Sequence, residues 1–388
     1  MKVGHTKEPK ARGVRLSLLA DGLRTGAGEG RFVRGLLCAL ASTPFALDRI
    51  DRLYVVATAN ESLSFMKPVS PKVTLVRRRF PTRLRHTWLA PWMGRTLPCA
   101  DVAHGPASYV FPLQARHALI TLNDLSFLNS AFHVEEGRAF RNQTLPMVFA
   151  NCQVVVCISD TVLGEVCRVW PNVCHKCVRI YDGVAPILKH DASVETFDRP
   201  RPYILAVGTI EPRKNYDRLI YAYTTWLEED GERTPDLVIV GRQGWLCDAT
   251  IIRLNTLGQT GKVRWLNNAS DDQLAEYYRQ ASVFTYLSVY EGFGYPPFEA
   301  AFAHIPMVLS NMSAVGEIWK GHARCVDPTD VREILAGWRW AYGLGPAERQ
   351  NVADRQIAHA RCFSWERCVT AYLDVYERLS DITKKQLR

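Results

Sequence analysis

The sequence has no uninterrupted apolar segment long enough to cross a membrane. A membrane-spanning helix needs about 18 or more consecutive apolar residues, and no run among the 388 residues reaches that length. The polar, basic start, MKVGHTKEPKARG, is not followed by the apolar core of a secretory signal, so we expect no such signal. Internal repeats and low-complexity tracts are also lacking. These absences favour a cytoplasmic protein, bound peripherally at most to the inner face of the plasma membrane.

The cysteines follow no regular pattern. There are eleven, an odd number, and several, such as Cys38 and Cys157, lie within apolar runs. This distribution favours reduced, buried thiols over a framework of disulfides. Cys174 and Cys177 have C-x-x-C spacing with Cys167 upstream, but a zinc site needs about four ligands and no second pair matches. We therefore expect no metal site.

The charge is unevenly spread along a chain of otherwise ordinary composition. Hydrophobic residues make up 47% and charged residues 22%, and the length suggests two domains of roughly 100–200 residues each. Of the net charge of +9, residues 1–190 carry +12 and the remainder −3. The N-terminal half is therefore expected to face something anionic, such as nucleic acid, a membrane surface or a phosphorylated substrate.

One basic segment interleaved with aromatic residues carries much of this charge. The candidate membrane-facing residues are Arg77, Arg78, Arg79, Arg83, Arg85 and Trp88. Basic residues beside aromatics suit an anionic membrane surface. An acceptor on a lipid-linked diphosphate would account for the same charge, and a solvated charged face is the alternative. No nucleic-acid motif accompanies the segment, so we expect no nucleic-acid partner.

Short apolar runs alternate with helical patterns twice along the chain. GVRLSLLADG and DRLYVVATA predict strands, RFVRGLLCALAST predicts a helix, and the pattern restarts at YILAVGTI. This alternation predicts an α/β protein with two doubly wound parallel sheets. The polar segment 188–202 is interpreted as a linker, which gives domains at 1–190 and 200–364 with a ligand-binding cleft between them. We expect the amphipathic helix at 365–388 to pack back on the first domain.

Two adjacent cations, Arg213 and Lys214, follow the predicted strand that ends near Gly208 and precede a helix. The amino end of a helix supplies N–H donors and a positive dipole. An arginine can donate to two oxygens at once, and a lysine adds a point charge. The arrangement suits a diphosphate, with a solvated surface pair as the alternative.

The segment from Glu291 to Glu299 combines a glycine loop with the start of a helix. The glycines let the backbone approach a ligand closely, and Pro296 and Pro297 suit a first helical turn. Glu299 is expected in that first turn, where its carboxylate can accept hydrogen bonds from a cis-diol such as ribose. The alternative for Glu299 is a charge that only interacts with the helix dipole. The other candidate ligand-binding residues here are Gly292, Phe293, Gly294 and Tyr295.

The chain resembles the retaining glycosyltransferases of family four, which have the GT-B fold of two Rossmann-like domains facing across a cleft. The matching blocks are VGTIEPRKN, LVIVGRQGW, SDDQLAEYYRQAS, YEGFGYPPFEA and VDPTD. Within that family the blocks are most similar to mannosyl-, rhamnosyl- and fucosyltransferases of polysaccharide and O-antigen assembly. The resemblance implies that 1–190 is the acceptor side and that 200–364 binds a nucleotide-sugar donor. It also implies that Glu299 binds the ribose, Glu291 and its loop hold the sugar, and Arg213 and Lys214 neutralise the departing diphosphate.

The N-terminal half supplies weaker candidates. A glycine-rich segment follows the first predicted strand, although its spacing is not the dinucleotide fingerprint. The resemblance implies that Gly28 and Gly30 contact the donor and that Gly26 lies on the acceptor side. His104, at a predicted strand end, is a further acceptor-side candidate, with a structural role as the alternative. Ser159 is interpreted as a helix cap.

The sequence departs from the family where its members often have His-Asp-Leu, because Asn123, Asp124 and Leu125 stand there. An amide does not titrate, although Asn123 can still donate hydrogen bonds. Asp124 is the nearest remaining carboxylate, and capping the next helix is its alternative role. His304 stands where the family usually has glycine after a helix, which we interpret as tolerated local strain.

The resemblance implies a retaining transfer, and the candidate residues can support it without a metal or other cofactor. No Asp-x-Asp pair is placed to hold a divalent ion. The resemblance implies a GDP-sugar donor, a glycan or lipid-linked acceptor, an oxocarbenium-like transition state and acceptance of the acceptor's proton by the leaving phosphate. The catalytic candidates are Arg213, Lys214, Glu291, Asn123 and Asp124. The alternatives are an epimerase- or phosphorylase-like enzyme of the same fold, and a non-catalytic GT-B binding protein.

Overall fold

The computed structural model describes residues 13–20, 23, 28–58, 63, 65–66, 70–78, 98–107, 115–133, 135–186 and 201–386. The chain groups into two compact units. The first contains residues 1–121, 147–156 and 366–388, and the second contains 122–146 and 157–365. Most of the predicted linker at 188–202 lies outside the described residues.

The first sheet has seven strands in the order β3-β2-β1-β4-β5-β6-β7, and the pairs from β3 to β5 are parallel. Its strands are β1 Val14–Leu19, β2 Ile50–Thr58, β3 Val73–Arg78, β4 Ala100–Gly105, β5 Ala115–Leu122, β6 Val154–Cys157 and β7 Cys177–Arg179. The α-helices in this part of the sequence are α1 Gly28–Ser42, α2 Pro44–Arg49, α3 Glu135–Asn151 and α4 Asp160–Val169. The strand runs are apolar because helices cover both faces of such a sheet.

The second sheet has six parallel strands in the order β10-β9-β8-β11-β12-β13. They are β8 Tyr203–Val207, β9 Asp236–Val240, β10 Val263–Leu266, β11 Val283–Tyr286, β12 Met307–Ser310 and β13 Arg324–Val326. The order reverses between β8 and β11, and in open α/β sheets ligands bind beyond the carboxyl ends of the strands at such a point. The expectation of two parallel α/β sheets is confirmed.

Eight α-helices of the described residues accompany or follow this second sheet. They are α5 Tyr216–Asp230, α6 Asp248–Gly258, α7 Asp271–Gln280, α8 Tyr295–Phe302, α9 Ser313–Trp319, α10 Val331–Tyr342, α11 Pro346–Ala360 and α12 Trp365–Gln386. Stacked indoles of Trp226 on α5 and Trp338 on α10 lie in the core against the sheet. None of the described helices is both long and apolar enough to span a bilayer.

His104 lies in the core of the first unit. Its Nδ1 is 2.7 Å from the hydroxyl of Tyr376 on α12, and its Nε2 is 2.9 Å from Thr121 Oγ1. The ring stacks on Tyr372, and complete burial lowers the pKa of His104 to about 3. Both ring nitrogens are satisfied inside the unit. This corrects the acceptor-side assignment, because a side chain with no exposed surface serves the packing of α12 instead.

The cysteine expectation needs one correction. Cys167 and Cys174 form a disulfide with Cα atoms 4.7 Å apart. The chain turns back through a 3-10 helix, Pro171–Lys176, directly after α4, and this turn brings the two residues together. Cys38 and Cys157 are free thiols, as expected, and Cys157 is fully buried.

Candidate functional site

The two cations predicted to bind a diphosphate lie in a single 3-10 turn, Pro212–Lys214, between β8 and α5. Gly208, beyond the end of β8, has a φ of +149°, a conformation that side chains disfavour. Asn215 follows the turn with a φ of +60° and donates hydrogen bonds to the carbonyl oxygens of Leu287 and Pro328. These bonds fix the turn at the carboxyl end of the sheet, beside the point where the strand order reverses.

Arg213 and Lys214 both donate hydrogen bonds to the carboxylate of Glu291. Arg213 Nη1 lies 2.6 Å from Glu291 Oε2, and Lys214 Nζ lies 2.5 Å from Oε1. The hydroxyl of Tyr286, on the last residue of β11, donates to the same Oε1 at 2.8 Å. Burial opposes ionisation of Glu291, but the two cations outweigh it and lower its pKa to about 2. Glu291 is therefore a buried, ionised carboxylate at neutral pH.

A second carboxylate, Glu211, compensates Arg213 from the other side. Its Oε1 lies 2.7 Å from Arg213 Nη2, and its Oε2 is buried without a hydrogen-bond partner among the described residues. Burial raises the pKa of Glu211, although Arg213 and Lys214 oppose that rise. Two cations thus face two carboxylates. Any diphosphate that binds here must share the two cations with carboxylates that already bind them. The sequence did not predict that the cations would be paired with carboxylates.

Glycine is required at two positions of the loop after β11, for a different structural reason at each. A Cβ at Gly292 would lie 1.8 Å from the carbonyl oxygen of Asn123, so only glycine permits this approach. Gly294 has a φ of +94° and precedes α8. Because α8 begins at Tyr295, Glu299 lies in its second turn, which corrects the first-turn expectation. The Oε2 of Glu299 accepts a hydrogen bond from Tyr278 at 2.7 Å.

Two further residues of this segment contact the second unit's interior. The ring of Phe293 is buried and stacks on Phe298 with centroids 5.0 Å apart, so its side chain is a packing residue and only its backbone faces the loop. The hydroxyl of Tyr295 donates to Asp182 Oδ2 at 2.9 Å. Asp182 is buried, and its burial raises its pKa to about 8, while Tyr295 opposes the rise. Asp182 lies near the end of the predicted first domain, 1–190, and was not among the residues predicted for the site.

Asp124 has a local structural role and also belongs to the electrostatic surroundings of the cations. Its Oδ1 accepts hydrogen bonds from the backbone N–H of Ser126 at 3.1 Å and from Ser126 Oγ at 2.8 Å. The 3-10 helix Ser126–Leu128 that follows has Leu125 as its N-cap and no side-chain cap, so the capping interpretation is wrong and Asp124 forms an Asx turn instead. The charge of Asp124 also raises the pKa of Arg213, after the larger effects of burial and of Glu291 and Glu211. Asp124 is therefore part of the turn and of the electrostatic surroundings of Arg213.

The remaining candidates fall in several places. α1 begins at the exposed Gly28 and buries Gly30, whereas Gly26 lies outside the described residues. Ser159 Oγ accepts from Val162 N at 3.2 Å, which confirms the cap of α4. His304 follows α8 with a φ of +61°, which agrees with the local strain predicted at that position. Its side chain is exposed.

Few of the basic residues proposed to face a membrane can be placed. Arg77 is exposed on β3, and Arg78 ends that strand with no described side chain. Arg79, Arg83, Arg85 and Trp88 lie outside the described residues.

Sequence reasoning missed residues that other strands and helices bring to the site. Ser313, at the start of α9, accepts a hydrogen bond from the backbone N–H of Glu291 at 3.0 Å. Tyr290 donates to Glu165 on α4 at 2.6 Å and accepts from the N–H of Leu125 at 2.9 Å. No local pattern marks these residues, because their partners are more than 20 positions away. Glu211 could have been found, since it lies two residues before Arg213.

The site holds no obvious metal centre. Within the part of the chain that the structure describes, no group of three or more histidine, cysteine, aspartate or glutamate side chains is arranged to bind a metal ion. The chemistry available at the carboxyl ends of β8 and β11 is instead that of buried cations shared between carboxylates. A group with two or more negative oxygens suits such cations, and backbone N–H groups of the adjoining loop can contribute.

Comparisons with known proteins find similarity to glycosyltransferases. The family described as "Glycosyl transferases group 1" matches residues 190–355, which include the Arg213 turn and the Glu291 loop. An O-antigen chain mannosyltransferase B from Escherichia coli is 28% identical over 286 residues, covering 72% of this chain and 74% of that protein. The serotype-specific mannosyltransferase WbdA from Escherichia coli is 33% identical over 145 residues, which are 36% of this chain and 18% of WbdA.

The fold has solved counterparts. A glycosyltransferase from Rickettsia africae superposes with a TM-score of 0.68 at 14% identity and covers 95% of this chain and 98% of its own. At that identity the likeness concerns the fold alone. Residues 190–355 thus match the group 1 glycosyl transferases, and the chain has the two-sheet α/β fold of GT-B glycosyltransferase structures.

Proposed function

We propose that this glycosyltransferase transfers a hexose, either mannose or a deoxyhexose, from a nucleotide diphosphate sugar to a glycan or lipid-linked acceptor in surface polysaccharide synthesis. The transfer proceeds with retention of configuration and without a metal ion. The sugar assignment is supported by the relatives, which are named as O-antigen chain and serotype-specific mannosyltransferases. The resemblance of the blocks in the sequence favours GDP as the nucleotide.

The observation that carries the proposal is the pair of buried cations held on Glu291. Arg213 and Lys214 are directed at one carboxylate by hydrogen bonds of 2.6 and 2.5 Å, beside the loop that contains Gly292 and Gly294. Pre-oriented charge stabilises a developing anion without the reorganisation that water would need. A diphosphate leaving group develops such charge as the bond between its oxygen and the sugar C1 breaks.

The proposed division of labour follows from these contacts. Arg213 and Lys214 hold the phosphates, Glu299 binds the ribose diol, and Glu291 reaches the sugar hydroxyls as it exchanges part of its contact with the cations. The acceptor hydroxyl attacks C1 from the face that the diphosphate leaves, and its proton passes to the departing phosphate oxygen. The site then needs no strong protein base, which fits the amide at Asn123.

Screening of donors by thermal shift tests the donor assignment. GDP-mannose, GDP-fucose, UDP-glucose and TDP-rhamnose are compared, and a clear rise in melting temperature with a GDP-sugar is expected. Proton NMR of the product then gives the anomeric configuration, and EDTA tests metal independence. An inverted product or complete loss of turnover in EDTA would refute that part of the proposal.

Two controls separate the alternative functions. Free sugar or an altered nucleotide sugar formed without any acceptor indicates an epimerase- or phosphorylase-like enzyme. Nucleotide binding with no acceptor-dependent nucleotide release, over a panel of glycan and lipid-linked acceptors, indicates a non-catalytic binding protein.

The membrane association is proposed on the basic segment around Arg77, and it places the protein on the cytoplasmic face of the plasma membrane. Flotation with vesicles of phosphatidylglycerol and phosphatidylethanolamine tests it at rising salt. Binding at low salt that disappears as salt screens the charges is expected. Absence of binding to anionic vesicles at low salt would contradict it.

A further inference from the structure

A chain of hydrogen bonds connects His133 to Asp124 beside the buried cations. His133 Nε2 lies 2.8 Å from Ser126 Oγ, and Ser126 Oγ lies 2.8 Å from Asp124 Oδ1. The backbone N–H of Ser126 donates to the same Oδ1. All three residues belong to the second unit, as do Arg213 and Glu291. Asn123, in the same loop, carries no titratable group.

The direction of the chain follows from the chemistry of its members. An ionised carboxylate only accepts hydrogen bonds, so the hydroxyl hydrogen of Ser126 points to Asp124. The Ser126 oxygen is then left to accept, and His133 Nε2 must carry a hydrogen and donate it. The neutral ring therefore has its hydrogen on Nε2. Its Nδ1 is the position at which a further proton binds.

The imidazole is held in place by a neighbouring indole. The rings of His133 and Trp245 stack with centroids 5.2 Å apart, and Trp245 Nε1 donates to the carbonyl oxygen of Phe132 at 2.5 Å. Phe132 in turn contacts the ring of Tyr290, whose hydroxyl binds the N–H of Leu125. Trp245 comes from the segment between β9 and α6. A histidine that was only a solvated surface residue would not need its ring held by Trp245 from another segment of the chain.

The charges that face His133 come from three parts of the second unit. Burial lowers its pKa most, Arg141 and Arg138 on α3 and Arg213 in the 3-10 turn lower it further, and Asp124 alone raises it. His133 is therefore neutral at pH 7. Because Arg213 acts on His133, a change in the net charge at Arg213 must change the proton affinity of the imidazole.

We infer that His133, acting through Ser126 and Asp124, is a positioning residue for the diphosphate half of the donor and takes up a proton when a nucleoside diphosphate reaches Arg213. The anion cancels the positive field of Arg213 at the ring and adds negative charge of its own. Water supplies the proton, which binds Nδ1, while Nε2 keeps its donation to Ser126. The resulting cation balances the carboxylates that crowd the bound phosphates. The inference rests on the proposed function, since it requires a nucleoside diphosphate at these cations.

The protonation is measured by NMR on protein labelled at the histidine Cε1, titrated over pH 5–8.5 with and without saturating GDP, and separately UDP. The resonance of His133 is assigned by its loss in His133→Gln. Without nucleotide its midpoint is expected below the ordinary value of about 6.5, and with nucleotide it is expected to rise. His175, which is exposed, serves as the internal control and should not move. A midpoint of His133 that is unchanged by bound nucleotide overturns the inference and leaves the proposed function intact. If neither nucleotide binds, the proposed function fails and the inference fails with it.

Three variants test the positioning role in turnover. His133→Gln keeps an N–H that can donate to Ser126, whereas His133→Phe keeps only the ring packing against Trp245. We expect His133→Phe, which can neither donate to Ser126 nor take up the proton, to raise the KM for donor by about tenfold, and His133→Gln to recover the part that depends on the hydrogen bond. Ser126→Ala breaks the chain without touching the ring and should resemble His133→Phe. His175→Gln is the matched control. A wild-type KM for donor in His133→Phe, at an unchanged melting temperature, would overturn the positioning role.

Discussion

The backbone of Gly292 packs directly against the carbonyl oxygen of Asn123. A Cβ at position 292 would lie 1.8 Å from that oxygen, far inside van der Waals contact, and 3.1 Å from the Cβ of Asp124. The loop that carries Glu291 is thereby fixed to the loop that carries Asp124. The approach depends on the absence of a single methyl group.

Gly292→Ala is therefore expected to displace the two loops, lower the free energy of unfolding by about 2–4 kcal/mol and abolish nucleotide binding. Urea unfolding and thermal shift with GDP and UDP measure the two effects. Gly164→Ala on α4 is the matched control, because a Cβ there meets nothing within 4 Å. In a helix that control should be neutral or stabilising by up to about 1 kcal/mol. Equal behaviour of the two variants would disprove the steric argument.

Arg213→Ala is expected to lower turnover about 100-fold or more, because the leaving diphosphate loses a directed cation. It should also destabilise the fold, since Glu211 and Glu291 lose their shared partner. Steady-state kinetics and urea unfolding separate the two effects. Arg218→Ala, at an exposed position on α5, is the control and should change neither. Unimpaired turnover in Arg213→Ala would exclude the proposed role of the cation.

The ionised Glu291 makes the stability of the fold depend on pH in the acid range. Its folded-state pKa of about 2 lies below the ordinary value of 4.5, so it stabilises the fold above that ordinary value and loses this contribution as pH falls from about 4.5 towards 2. The shift corresponds to about 3 kcal/mol. Glu291→Gln should remove this part of the acid dependence in denaturant unfolding between pH 2 and 6. Identical slopes in the variant and the wild type would mean that the Glu291 carboxylate is not held by the cations.

Asp182 makes the stability of the fold depend on pH in the opposite direction. Its pKa of about 8 lies above the ordinary value of 3.8. The contribution of Asp182 to stability is therefore most favourable below pH 3.8 and is lost as the pH rises towards 8. Asp182→Asn keeps an acceptor for Tyr295 but cannot ionise. It should therefore become more stable than the wild type by at least about 2 kcal/mol at pH 9, with little difference at pH 4. Urea unfolding at pH 4, 7 and 9 gives the comparison, with the exposed Asp272→Asn as control. If the difference in unfolding free energy between Asp182→Asn and the wild type were the same at all three pH values, Asp182 would not have the raised pKa expected of a buried carboxyl.

The sequence by itself determined the alternation of strands and helices and the local motifs. Apolar runs such as YILAVG are buried on both faces of a parallel sheet, so their composition alone predicts β8. Ser159 and His304 were also predictable, because a cap and a left-handed residue after a helix are local matters. The position of Arg213 and Lys214 between a strand and a helix was predictable in the same way. Each of these depends on interactions within a few residues.

The tertiary structure decided which charges meet. Glu291 is 77 positions from Lys214 along the chain, and only the adjacency of β8 and β11 brings it onto both cations. The same holds for Tyr295 and Asp182, for Tyr290 and Glu165, and for His133 beneath Trp245. His104 was ambiguous in sequence because burial depends on α12, far away in the chain. A pKa and a hydrogen bond depend on distances in space, and a sequence pattern fixes such distances only within one element.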